Sequence, residues 1–451
     1  MNIYGKRIHF IGIGGISLSC LAKISLSKGA IVSGSDISIN EETKTLESLG
    51  VKIFYKHEEG NVLGVDIVVY SSAIKEDNVE LQKAQKLGLT ILKRAEFLAK
   101  IAGEYKTTIA ISGSHGKTTT TAMVANLLIL AGLNPTVHLG GEYSKIGGNT
   151  LIGGNDYFVT EACEYKDNFL YLSPQISVCL NVCADHLDYF KNLQNLRCSF
   201  KKFINLNKNG VVICNADDDF LANLNSNLTF SMENRGDVCA VNIYEYTAGK
   251  FAFDVICDGA TLGNIKLNVY GKHNIFNALA TICVGNALNI DFNIIKNSLE
   301  EFSGVDRRFQ EVGEINGAKI IIDYAHHPDE IKSSIFSAKM IAKNKVIAVF
   351  QPHTYTRTQS FMGEFAKSLS LADRVGVYKI YPAREEKIEG VSNITLSNEV
   401  NKIKKISSYL NDYVELIAFI NSKCKKGNVV LILGAGDYVS VVKELKFDQK
   451  A

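Results

Sequence analysis

From Thr107 to Thr121 an apolar, β-branched run breaks at glycines and restarts at once as a helix, which confines the chain to folds that hold an anion at a strand-to-helix turn. Gly113 and Gly116 let backbone N–H groups face a phosphate, the following helix points its positive end the same way, and Lys117 adds a full charge. Thr118 offers a hydroxyl to a magnesium ion. Only Ser114 and His115 separate the two glycines, so the loop is a variant of the strict phosphate-binding pattern. A bare Gly-Lys-Thr also occurs in surface turns. Here the strand before it is apolar, and the helix after it carries Met123, Val124, Leu127, Leu128 and Leu130 before Gly132 can stop it. The run Gly113, Ser114, His115, Gly116, Lys117, Thr118 and Thr119 is therefore expected to bind ATP.

A chain of 451 residues exceeds what one hydrophobic core usually serves, so two or three domains are expected. Apolar residues make up 46% and charged residues 21%, a soluble globular balance. The 49 Lys and Arg nearly match the 47 Asp and Glu, so nothing global draws the protein to nucleic acid or to a membrane. The 10 cysteines include no Cys-x-x-Cys pair, and the N-terminus lacks a secretory apolar segment; a reducing cytoplasm fits this usage. Cys179 and Cys183 read as small buried apolar residues rather than zinc ligands.

Residues Arg7 to Asp36 read as strand, glycine turn, helix and strand, a Rossmann-like unit with Gly12, Gly14 and Gly15 in its turn. Ser17 stands where the third fingerprint glycine would be, which weakens a nicotinamide reading but keeps a nucleotide diphosphate over a helix N-terminus. Asp36 ends the second strand, either as an acceptor for a ribose hydroxyl or as a solvated turn residue. The strand Asp66–Tyr70 leads into Ser71 and Ser72, small hydroxyls suited to a ligand cleft.

A helix from Arg94 to Ala102 and then Gly103 close this domain, and the phosphate-loop strand begins afresh. Tyr157 to Glu161 reads as a strand ending in a carboxylate, which makes Glu161 the first metal candidate. After a third strand, His186 is placed to reach the same edge, either as a further ligand or as an ordinary polar loop residue. Asn274 and Asn277 share one helix face, where paired amides can read an adenine edge; capping is the alternative for Asn274. Adjacent Arg307 and Arg308 open a final stretch in which strand and helix alternate. Its strand ends at Asp323–His327, Gln351–Arg357 and Gly434–Asp437 are expected to line one cleft. The expected fold is α/β in three domains: a Rossmann-like N-terminal domain (1–103), a central P-loop ATPase-like domain with extra strands (104–306) and a C-terminal Rossmann-like α/β domain (307–451).

Taken in order, Gly12-Ile-Gly-Gly15, Gly34-Ser-Asp36, Ser71-Ser-Ala-Ile74, Arg94-Ala-Glu96, the Gly113–Thr120 loop, Asp185-His186, His273-Asn274 with Asn277, Arg307-Arg-Phe309, Asp323–Pro328, Phe350–His353 and Gly434–Asp437 resemble the Mur ligases over the whole length of the chain, and within them the alanine-adding branch. The resemblance implies an ATP-dependent amide ligase. The lactyl carboxylate of UDP-N-acetylmuramate takes the γ-phosphoryl group, and the amine of L-alanine attacks the resulting acyl phosphate. It further implies Thr118, Glu161 and His186 as magnesium ligands, Asn274 and Asn277 as adenine contacts, and Asp323 as a ribose contact. Lys117, Arg308 and magnesium would offset the charge that gathers, and His326 would stand nearest the amine as general base. Tyr324, His326 and Arg357 would bind the amino acid, while Gly12, Gly14, Gly15, Asp36, Ser71 and Ser72 would bind UDP. The chain departs from the family twice. Where sister ligases carry a carbamylated lysine it has Phe200, so no carbamate is expected; where the branch has an arginine after His353 it has Thr354.

A recycling ligase that joins an intact peptide to the same nucleotide sugar is the nearest rival. An NAD-dependent dehydrogenase would leave Lys117, Glu161 and the arginine pair idle, and a nucleic-acid-driven motor has no basic stripe to support it. The expected assembly is a monomer or homodimer. Lys117→Ala is expected to leave folding intact and to lower turnover by orders of magnitude.

Overall fold

The computed structural model describes residues 2–207, 209–383, 385–436 and 439–448; Asp437, the last residue of the glycine run after the final strand, lies outside them. Two compact units divide the chain: Met1–Tyr244 with Ala252–Asn268 and His273–Val305, and Glu245–Phe251 with Val269–Lys272 and Asp306–Ala451.

The first unit carries two sheets. Strands β1 (Arg7–Ile11), β2 (Ile31–Ser35), β3 (Lys52–Phe54), β4 (Ile67–Tyr70) and β5 (Thr90–Lys93) form a parallel sheet in the order β3-β2-β1-β4-β5. The chain reverses its direction of travel between β1 and β4, and at that point a parallel sheet opens a crevice at its carboxyl edge. Gly12 leaves β1 and Ser71 leaves β4, so the glycine turn and the serines meet at this crevice. Nearly continuous apolar burial along β1 and β4 is what a sheet covered on both faces requires.

The second sheet follows the order β15-β14-β13-β12-β11-β10-β6-β9-β7-β8. Its strands are β6 (Thr107–Ser112), β7 (Thr136–Tyr143), β8 (Gly148–Leu151), β9 (Tyr157–Glu161), β10 (Ile176–Cys179), β11 (Val211–Asn215), β12 (Leu228–Ser231), β13 (Val238–Thr247), β14 (Lys250–Cys257) and β15 (Ala260–Tyr270). β6 lies between the parallel strands β9 and β10, so the phosphate loop, Glu161 and the segment after Cys179 leave the sheet at one edge. One buried apolar cluster runs from Ile3, Phe10 and Phe97 through Tyr105 and Phe158 to Phe200 and Leu221, so the expected break near residue 103 falls inside a shared core.

The second unit holds β16 (Gln310–Ile315), β17 (Ala318–Asp323), β18 (Val346–Phe350), β19 (Arg374–Val377), β20 (Ser407–Tyr409) and β21 (Val429–Leu433), ordered β16-β17-β21-β18-β19-β20. β16 pairs antiparallel with β17 and the other pairs are parallel. Because β17, β21 and β18 are neighbours, their carboxyl-end loops, beginning at Asp323, Gly434 and Gln351, are brought side by side. Among the described residues no helix is long and apolar enough to cross a membrane.

Candidate active site

The phosphate loop is bonded to the segment that follows β10. The Ser114 N–H donates to the Asn181 carbonyl (3.0 Å) and the His115 N–H to Asn181 Oδ1 (2.9 Å). Ser114 Oγ donates to the Cys183 carbonyl (3.0 Å). Cys183 is exposed in this loop, unlike Cys179, because the strand has already ended and its backbone is bound to Ser114. Gly116 precedes the helix Lys117–Leu130 at φ 86°, and a Cβ there would come within 2.6 Å of Asn277 Oδ1. Left-handed backbone and close approach both require glycine.

Lys117 Nζ donates to Glu164 Oε1 and Oε2 (3.1 and 3.0 Å) and to the Gly113 carbonyl. Burial alone would lower the ammonium, but the Glu164 carboxylate outweighs it and holds Lys117 above the ordinary lysine range. Glu164 and the Gly113 carbonyl thus hold a charged ammonium at the loop. Glu164 was not foreseen in the sequence; it lies just beyond Glu161, and the left-handed Lys166 and Asp167 turn the chain after it.

The expected metal ligands divide into two places. Glu161 Oε1 accepts from the Gly140 N–H (2.8 Å), and a Cβ on the next residue, Gly141, would lie 3.1 Å from Thr118 Cγ2, so Thr118 and Glu161 face the same glycine pair. His186 instead joins Glu164 and Asp185, whose ligand atoms all lie within 4.8 Å of one another. Carboxylate oxygens dominate this donor set, together with the Thr118 hydroxyl, and that chemistry fits a hard divalent cation such as magnesium. Phe200 is fully buried, edge-on to Phe169, which in turn stacks on Phe203.

Asn274 and Asn277 are buried along the helix Asn274–Ala287, and the cap is His273, so Asn274 does not serve as one. Asn277 Nδ2 donates to Asn274 Oδ1 (2.8 Å), and Thr120 Oγ1 donates to Asn277 Oδ1 (3.1 Å), which ties the pair to the loop helix.

At the first sheet the glycine turn is tied to the end of β2 and closed on itself: the Gly12 and Ile13 N–H groups donate to the Ser35 carbonyl and the Gly15 N–H to the Gly12 carbonyl. Asp36 is 3% exposed, not a solvated turn residue. Its Oδ2 accepts from the Gly14 N–H (3.0 Å) and its Oδ1 from the Ser38 N–H (3.0 Å), so the carboxylate braces the turn. Ser71 is half-buried beside Gly12, while Ser72 is exposed.

In the second unit the guanidinium groups of Arg307 and Arg308 lie 5.1 and 5.2 Å from the Tyr324 ring. His326 Nδ1 donates to the Tyr324 carbonyl (2.9 Å), since a carbonyl can only accept; Nε2 is then the lone-pair nitrogen. Burial holds His326 below the ordinary histidine range, against the pull of Glu330. Thr354 sits at φ 66° as the cap of the helix Tyr355–Ser360, and Arg357 Nη1 comes 3.5 Å from His353 Nδ1. His353 stacks on Tyr381 with ring centroids 5.6 Å apart.

Burial raises Asp323 to about 6, against the Ser334 hydroxyl and Arg308, which both favour its charged form. A carboxyl with a raised folded-state pKa binds its proton more tightly in the folded protein. Its stabilising effect is therefore full below about pH 4 and is lost as pH rises through about 6, by up to ~3 kcal/mol. Asp323→Asn should flatten this fall and leave the variant more stable than the parent at neutral pH, as read by urea unfolding across that window. Parallel pH dependences of the two proteins would contradict the assignment.

Three family models match the chain: the Mur ligase family catalytic domain over residues 7–106, the Mur ligase middle domain over 111–285 and the Mur ligase glutamate ligase domain over 307–436. A UDP-N-acetylmuramate–L-alanine ligase of Clostridium acetobutylicum is 45% identical over 98% of this chain and 97% of its own. Its counterpart in Clostridium tetani is 44% identical over 96% of each. The crystal structure of the UDP-N-acetylmuramate-alanine ligase of Thermotoga maritima aligns with TM-score 0.84 and 32% identity, covering 97% of both chains. A murein peptide ligase of Psychrobacter arcticus aligns with TM-score 0.72 at 22% identity over 98% of this chain and 100% of its own, a likeness of fold.

Proposed function

The chain belongs to the Mur ligase family, and from that premise we propose that it joins L-alanine to the lactyl carboxylate of UDP-N-acetylmuramate, using ATP and passing through an acyl phosphate. The observation that carries this is a phosphate loop with a charged lysine held ready, in one compact unit with a second glycine turn suited to a diphosphate. Domains 1–103, 104–306 and 307–451 would bind the nucleotide sugar, ATP and the amino acid respectively.

A carboxylate at neutral pH is a poor acyl donor because its leaving group would be oxide. Transfer of a phosphoryl group to one of its oxygens supplies a leaving group, and the charge that gathers must be met by cations. Lys117 and Arg308 supply two of them. When bound, magnesium adds Lewis-acid neutralisation of the triphosphate; Thr118 and Glu161 would hold it at one place, and His186 with Glu164 and Asp185 would offer donors at the other. The loop Gly113–Thr119 cradles the phosphates, Asn274 and Asn277 face the adenine, and Asp323 contacts the ribose. His326 Nε2 takes a proton from the ammonium of alanine, whose carboxylate Arg357 receives, with Tyr324 alongside. Gly12, Gly15, Ser71 and Ser72 line the UDP site, where Asp36 keeps Gly14 in place. The enzyme would act in the cytoplasm as a monomer or homodimer, with no nucleic acid or membrane partner.

Incubating the protein with UDP-N-acetylmuramate, ATP and magnesium across a panel of amino acids should release phosphate with L-alanine. Release with a murein tripeptide and none with L-alanine would overturn the assignment in favour of the recycling reaction.

A further inference from the structure

Ser17, the residue that interrupts the glycine fingerprint, lies in the first turn of the helix Ile16–Ser27, and its hydroxyl meets a histidine 121 positions further along the chain. His138 comes from β7, where it is 3% exposed and pairs in register with Thr160 of β9. Its Nε2 is 2.8 Å from Ser17 Oγ and its Nδ1 is 2.9 Å from Thr160 Oγ1. The groups at either end fix the direction of these bonds. Arg94 Nη1 donates to Ser17 Oγ (3.0 Å), so the serine can pass its own proton to Nε2. Thr160 Oγ1 donates to the Glu161 carbonyl (3.1 Å), so its oxygen accepts from Nδ1–H. The ring is neutral: burial, and then the charge of Arg94, depress His138 to about 3. Each group in the chain donates once in the same sense, from a guanidinium to a main-chain carbonyl, an arrangement in which each bond polarises the next.

We propose that His138 is a positioning residue that couples the nucleotide-sugar turn to the metal-bearing strand, through a head-to-tail chain from Arg94 and Ser17 to Thr160 and Glu161. At one end the chain fixes the helix whose N-terminus lies under the glycine turn. At the other it fixes the backbone of Glu161, whose side chain is held by Gly140, a residue of the same strand as His138. Ordering one end therefore orders the other, and each ligand lowers the cost of binding its counterpart. The inference rests on the reading of Glu161 as a magnesium ligand.

Calorimetric titration of the full chain with UDP-N-acetylmuramate, alone and then with magnesium and a non-hydrolysable ATP analogue, gives two Kd values whose ratio measures the coupling. The parent protein should show a ratio of ~5 or more. In Ser17→Gly, which restores the fingerprint glycine, and in His138→Leu, the ratio should fall below about 2 while each ligand's affinity alone changes little. Ser17→Thr keeps the hydroxyl and should keep the ratio. A purely structural role would lower both affinities together and leave the ratio unmoved. An unchanged ratio in Ser17→Gly, or no coupling in the parent, overturns the proposal; should His138→Leu fail to fold, Ser17→Gly decides alone. The metal reading is tested separately. If Glu161→Gln leaves the magnesium requirement for binding the ATP analogue unaltered, Glu161 is not a ligand, whatever the coupling ratios show.

Discussion

Replacing Lys117 with alanine should lower kcat by ~1,000-fold or more, equivalent to ~4 kcal/mol of transition-state stabilisation. The ammonium is charged and already positioned at the loop, so its removal takes away a cation that needs no reorganisation when the phosphoryl group moves. The same substitution strands Glu164, which is fully buried, and breaking a buried pair from one side costs ~3–5 kcal/mol. Folding is therefore not left intact, as the loop sequence alone leads one to expect. The two effects separate in the double variant Lys117→Met with Glu164→Gln: thermal stability should recover most of the loss and turnover none of it. Recovery of turnover in the double variant would show that the lysine serves structure only.

His326→Gln should lower kcat by ~100-fold or more, the range typical for loss of a general base, and should abolish the acidic limb of the kcat–pH profile. With Nδ1 committed to the Tyr324 carbonyl, the ring offers one nitrogen, and burial keeps it unprotonated to a lower pH than an ordinary histidine. In the parent, activity should therefore fall only as pH drops below the ordinary histidine value of about 6.5. A variant that retains both turnover and the acidic limb would transfer the proton-accepting role elsewhere.

The features legible in the sequence are those set by local rules. Glycine at the turn after β6, the apolar helix behind it and the polar ends of β9, β17 and β18 follow from backbone conformation and burial period. What sequence could not show depends on contacts between distant residues. Asp36 was legible as a strand-end carboxylate, but not as the brace of Gly14, because that bond joins turns on two different strands. The pairing of Glu164 with Lys117 depends on β9 lying beside β6, which puts the residues after Glu161 next to the loop, and that neighbourhood is a property of the sheet. The shared core of the first two sheets is likewise invisible, since Phe97 and Phe158 read as ordinary apolar positions of separate elements. Thr354, conspicuous for what it is not, turns out to cap the helix that carries Arg357.

The most direct measurement follows an oxygen atom. UDP-N-acetylmuramate carrying oxygen-18 in both positions of its lactyl carboxylate, turned over with ATP, magnesium and L-alanine, should yield inorganic phosphate bearing one labelled oxygen, with the other retained in the new amide. Unlabelled phosphate alongside the same amide product would mean that the carboxylate never took the phosphoryl group, and would contradict the account at its centre.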